Sequence, residues 1–250
     1  MSWRETSSAS FTARHDERDA EGAAAVLELL ERTRARLLGA FPRQPVDLAV
    51  VLHSSGSQLT LAQPMLPLVR SLTERPMRRY VAGWVSKDTV HVLAPRLLAA
   101  RASQVRGSRQ MLMWTPAALY AQLVVAANNE LLPPPFRPAS TARLLRWAWL
   151  AAGAAQYFSG QLEFAGAAIA RRLREGRAPD FPPAVRDALL LGGTVFDLLA
   201  LEEGEEAAVA LASRLPVGGP AHALRDAFPR RSLSHTEAAW RSHLRRLAEP

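Results

Sequence analysis

Trp149-Leu150-Ala151-Ala152-Gly153-Ala154-Ala155-Gln156-Tyr157-Phe158-Ser159-Gly160 is the stretch whose reading decides the fold. Trp149, Leu150, Gly153, Ala154, Tyr157 and Phe158 return at i, i+3/i+4 and i+7/i+8, which is one face of an α-helix. Gly153 interrupts nothing in that period, although glycine costs about 1 kcal/mol against alanine inside a helix. Its presence therefore predicts that another backbone comes close at this point. Upstream, Ser140 or Thr141 is expected to cap the same helix, which then runs through Trp147 to Gly160.

Outward from that helix, the N-terminal half reads differently from the C-terminal half. Residues 1–17 are rich in Ser, Thr and charge and are expected to be a disordered tail. Ala23, Val26, Leu27, Leu30, Leu37 and Leu38 give the next segment, from Asp19 to about Leu38, a helical period. Val46 to His53 reads as a valine-rich strand, and residues 79–85 and 89–93 read as a hairpin across Ser86-Lys87-Asp88. From Thr115 onwards the pattern is helical. Thr115 is the expected N-cap with Pro116 behind it, and Leu131 to Pro138 forms a stiff proline-rich connector. Val185 to about Glu203 reads as a helix broken or tightened at Gly192-Gly193, and Ser234-His235-Thr236-Glu237 as a capping box opening the last helix. Strands first and helices afterwards point to an α+β, helix-rich fold with a small, mostly antiparallel sheet. Residues 18–250 then form one domain, with a sheet-containing part at 46–100 and a helical part at 114–248.

Composition narrows the function classes. The chain has no cysteine, which removes disulfides, thiolate metal sites and cysteine nucleophiles. Lys+Arg number 31 against 23 Asp+Glu, and Lys87 is the single lysine. With abundant Ala, Leu and Pro, this reads as the coding bias of a GC-rich bacterial genome, so the excess of basic charge is weak grounds for a nucleic-acid partner. If there is one, Arg32, Arg34 and Arg36, with Arg171, Arg172 and Arg174, are the phosphate contacts to test. No run of about 18 apolar residues suggests a membrane span, and Met1 to Asp19 has no apolar signal core. A cytoplasmic protein without membrane contact is the expectation.

The organising stretch resembles the second active-site helix of the gluzincin zinc metallopeptidases, including the peptidase MA-like group, whose pattern runs W-L-x-E-G-x-A-x-Y-F-S-G. In that family the Glu is the third zinc ligand; here its position holds Ala152. The resemblance implies that the preceding helix carries the H-E-x-x-H position, where two histidines one turn apart bind zinc and the Glu polarises water. The register set by Leu123-Val124-Val125 and Asn128-Asn129 puts Ala118 at the first His, Leu119 at the general base and Gln122 at the second His. Phe228 and Trp240 resemble the closing segment of the same family. Neither Ala nor Leu offers a lone pair, and a Gln amide is a poor zinc ligand. The resemblance thus implies a pseudoenzyme: no catalytic residue, no metal and no cofactor. A peptide- or protein-binding or scaffold role would remain, in a groove whose walls are expected to carry Gln122, Asn128, Asn129, Gln156 and Tyr157. In active members an extended peptide joins the sheet edge beside this groove.

Other chemistries leave little trace. No two of the six histidines stand at i, i+4, so only the folding of distant ones such as His53 and His91 could build a metal face. Gly192-Gly193-Thr194 lacks the spacing of a phosphate-binding P-loop, and no G-x-S-x-G elbow occurs. A hydrolase with a non-standard site has no specific residue in its favour.

Overall fold

The structure, a computed structural model, describes residues 3–86, 88–129, 131–132, 141–175, 177–216 and 218–249. The first departure from the sequence reading comes at once. Residues expected to be disordered form β1 (Trp3–Ser7) and β2 (Phe11–Asp16), paired antiparallel with Trp3 opposite Asp16. Polar composition misled because β1 is nearly all solvent-facing, while β2 buries only Phe11, Ala13 and His15. The turn between them is held from far along the chain. Glu31 accepts hydrogen bonds from Ser8 Oγ (2.7 Å), Ser10 N (2.6 Å) and Ser10 Oγ (3.0 Å).

Helix α1 (Ala20–Leu38) buries Ala23, Val26, Leu27, Leu30 and Leu37, the stripe its period announces. It carries the chain back to β3 (Leu48–His53), which lies parallel to β2. Two short helices, α2 (Gly56–Ala62) and α3 (Leu66–Leu72), and a 3-10 turn (Arg75–Tyr80) lead to β4 (Gly83–Val85) and β5 (Thr89–Leu93). The strand order is β1-β2-β3-β5-β4, with β3 and β5 parallel and β4 antiparallel to β5 at the edge. The sheet is therefore mixed, not mostly antiparallel, because the β2–α1–β3 and β3-to-β5 connections are crossovers. The fold is α+β and helix-rich.

After α4 (Pro95–Ala100) and α5 (Ser108–Met113), α6 (Thr115–Asn128) packs against β4, β5 and α1. Trp114, not Thr115, is its N-cap residue, and no side chain caps it. The expected long helix is two pieces, α7 (Thr141–Arg146) and α8 (Ala148–Ser159), separated at Trp147. The proposed cap at Ser140 and most of the proline connector fall outside the described residues. Gly160, at φ 79°, ends α8 in the left-handed region that glycine enters at no steric cost.

The remaining elements are α9 (Gly166–Arg174), α10 (Ala188–Glu203), α11 (Glu205–Ser213), α12 (Pro220–Ala227) and α13 (Leu233–Ala248). Helix α10 runs as one regular helix through Gly192-Gly193, where the sequence suggested a break or a tightening; the two glycines lie against α8 instead. Helix α13 is capped by Ser232, which accepts from His235 N, so the capping serine lies two residues before the expected one. One apolar cluster extends from Phe11 to Leu244, joining sheet and helices in a single core. No helix of the described residues is long and apolar enough to cross a membrane.

Candidate functional site

Alanine decides where the space lies. On α8, Ala148, Ala151, Ala152 and Ala155 share one face at i, i+3, i+4 and i+7 with Gln156 beside them. On α6, Thr115, Ala118, Leu119 and Gln122 share the facing side. Side chains this short cannot fill the gap between the two helices, and a cleft of about 400 Å³ remains. Its other walls come from Leu68, Val69 and Leu72 of α3, Gly83 and Trp84 of β4, and Val185, Ala188 and Leu189 around the start of α10.

The edge strand forms one rim. Leu93 N donates to Ala82 O (3.0 Å) and Ser86 N to Thr89 O (2.8 Å). In an antiparallel ladder bonded pairs alternate with unbonded ones, so Gly83 and Val85 turn their own N–H and C=O groups away from β5. Leu119 lies directly over this rim. A Cβ placed on Gly83 would fall 2.5 Å from Leu119 Cδ1 and 2.7 Å from His91 O, so only glycine lets the leucine sit there.

Ala118, Leu119, Gln122 and Ala152, read from sequence as the positions of a lost ligand set, all line this one cleft, as does Gln156. The other expected wall residues do not. Asn128 donates to Arg43 O (2.7 Å) and Val124 O (2.8 Å) and accepts from Arg43 N (3.1 Å), tying the end of α6 to the loop after α1. Asn129 is buried and donates to Ala212 O (2.8 Å). Tyr157 lies on another face of α8, stacked on Phe196 with its hydroxyl donating to Glu205 Oε2 (2.5 Å). Burial and that carboxylate push the Tyr157 phenol well above its ordinary range. The three are structural because each satisfies its polar group within its own neighbourhood.

Gln122 and Gln156 do not bond each other. Gln156 Oε1 accepts the backbone N–H of Gly193 (3.0 Å), while its Nε2 has no acceptor among the described residues. Thr115 Oγ1 is likewise buried without a partner there. Thr115 escaped the sequence reading because a Thr-Pro pair before an apolar run signals a cap, and nothing local shows that the hydroxyl turns inward.

Among the described residues, the lining carries no carboxylate, imidazole or thiol. Its one phenol, on Tyr80, donates to buried Ser108 Oγ (2.9 Å). Elsewhere, His53 and His91 do converge: His53 Nε2 and His91 Nδ1 are 3.1 Å apart and the rings stack. Burial, and secondarily His91, pulls His53 down to about 4, so the pair is a neutral donor and acceptor. Among the described residues no three His, Asp or Glu side chains gather as a metal site. A third histidine, His243, bonds Asp197 (2.7 Å) through one ring nitrogen while Arg246 donates to the other (3.3 Å).

The arginine clusters lie largely at the surface, and several of their members are paired within the chain. Arg32 pairs with Glu28, Arg36 donates to Phe158 O (2.7 Å), Arg171 pairs with Glu175, and Arg172 grips Asp187 through both oxygens (2.7 and 2.8 Å). Comparison with protein families, curated proteins and solved structures finds no match to the chain.

Proposed function

We propose that the chain is a catalytically silent protein of gluzincin-like, peptidase MA-like build, which uses its cleft to bind a peptide or protein segment. One observation carries the reading: the four positions that the resemblance marks as first His, general base, second His and third ligand come from two helices, yet face one cleft beside an edge strand. Ala118, Leu119 and Gln122 share a helix face by their spacing alone, and the fold adds Ala152 of α8 across the cleft from them. At those positions stand Ala118, Leu119, Gln122 and Ala152, which cannot hold zinc or activate water. What they leave is an apolar trough next to backbone groups of Gly83 and Val85 that point away from the sheet. A segment in extended form would satisfy both by adding a strand and burying alternate side chains.

The test is a peptide-display selection on the purified protein, repeated on Ala152→Trp, which fills the trough. Bound peptides lost in the variant, and left uncut by zinc-loaded wild type, are the expected result. Cleavage of such a peptide that a chelator abolishes would overturn the proposal.

A further inference from the structure

We infer that the cleft takes an uncharged ligand built from an apolar chain and a carbonyl-type acceptor, the chemistry of a small amide. This rests on the proposed reading of the cleft as a binding site and commits to the chemistry of its occupant.

The first ground is charge. More than a fifth of the chain is Asp, Glu, Lys or Arg (22%), yet none of the described residues lining the cleft is charged. A carboxylate or ammonium brought there would lose its water without meeting an opposite charge, a cost that neutral hydrogen bonds do not offset. The second ground is the pair of unmet polar groups. Gln156 is 2% exposed and Thr115 is 6% exposed, so neither side chain is open to bulk water. The Gly193 N–H can bond only the amide oxygen of Gln156, which fixes the sense of the amide and leaves Nε2 as the unmatched end. An Nε2 group can donate and cannot accept. The matching ligand atom must therefore be an acceptor, and the Thr115 hydroxyl, able to donate as well, serves the same oxygen class. Buried donors without acceptors are rare in folded proteins because each costs about 1–3 kcal/mol. The third ground is shape. About 400 Å³ suits a small ligand, and half-exposed Leu68 and Leu72 extend the apolar wall to the mouth.

Calorimetric titration with octanamide and with octanoate, which shares the chain but carries a charge, tests the inference. Octanamide is expected to bind one to one and octanoate at least about tenfold more weakly. Thr115→Val and Gln156→Met should each weaken octanamide about three- to tenfold, the worth of one neutral hydrogen bond. Thr115→Val should do so without loss of thermal stability, since the hydroxyl it removes has no partner in the folded chain. No binding of octanamide, equal binding of octanoate, or unchanged affinity in both variants overturns the inference. If it falls while selected peptides still bind wild type and not Ala152→Trp, the proposed function stands. If those peptides fail as well, both fall.

Discussion

Gly153 of α8 and Gly192 of α10 meet backbone to backbone. A Cβ on Gly153 would lie 2.4 Å from the carbonyl carbon of Gly192, and one on Gly192 would lie 2.5 Å from Trp149 O. This crossing also brings Gly193 under the Gln156 amide, so the contact that joins the two helices sets one wall of the cleft.

Gly153→Ala should therefore destabilise the fold although alanine is the better helix former. Propensity favours the substitution by about 1 kcal/mol, but the extra carbon must push apart two backbones, and overpacking of this kind costs about 1–3 kcal/mol or more. A net loss of about 2 kcal/mol is expected from denaturant midpoints. Gly39→Ala is the control. Nothing lies within 4 Å of its Cβ, so it should be neutral or slightly stabilising.

The β1–β2 hairpin should behave as part of the sheet. Glu31→Ala removes three hydrogen bonds that hold its turn and is expected to cost about 1–3 kcal/mol. A chain lacking residues 1–17 should unfold at a clearly lower denaturant concentration, because Phe11 and Ala13 leave the core and β3 loses its neighbour. An unchanged midpoint would mean the segment is a tail after all.

His53 makes stability depend on pH. Its folded pKa is about 4 against 6.5 for the free side chain. The unfolded chain therefore takes up a proton through a range in which the folded one does not. Stability contributed by neutral His53 should be full above pH 6.5 and lost as pH falls towards 4, by on the order of 2–3 kcal/mol. His53→Gln should flatten that slope in unfolding curves taken between about pH 7 and about pH 4.5. The same slope in both proteins would refute the assignment.

Arg172 and Arg174 should differ sharply. Arg172 holds the fully buried Asp187 by both oxygens, and Arg172→Ala leaves that carboxylate only the Arg186 guanidinium at 3.6 Å, a loss of about 3 kcal/mol. Arg174 is exposed, and Arg174→Ala should fall within about 0.5 kcal/mol of wild type. Equal effects in thermal unfolding would contradict the distinction.

Much of this was legible in the sequence, and the exceptions share a cause. Helical period placed α1, α6 and α8, and a glycine inside such a period announced a close backbone approach, because these signals are local; that α10 is the partner appears only in the fold. The strand at Phe11–Asp16 was hidden because its buried face is three residues long and its support, Glu31, stands on another element. Asn128, Asn129 and Tyr157 were misplaced for the converse reason: residue type shows that a polar group needs a partner, and only the fold shows that Arg43, Ala212 and Glu205 already supply one. Ala118 and Ala152 carry no chemistry of their own, and they enter the proposal only through the resemblance.

Installing the ligand set that the proposed resemblance implies tests the central claim most directly. The variant carrying Ala118→His, Gln122→His and Ala152→Glu should, if these positions converge as a metal site would, retain about one zinc per chain after loading and desalting. Wild type should retain close to none. A variant that folds by circular dichroism yet holds no zinc, or a wild type that holds one tightly, would contradict the account.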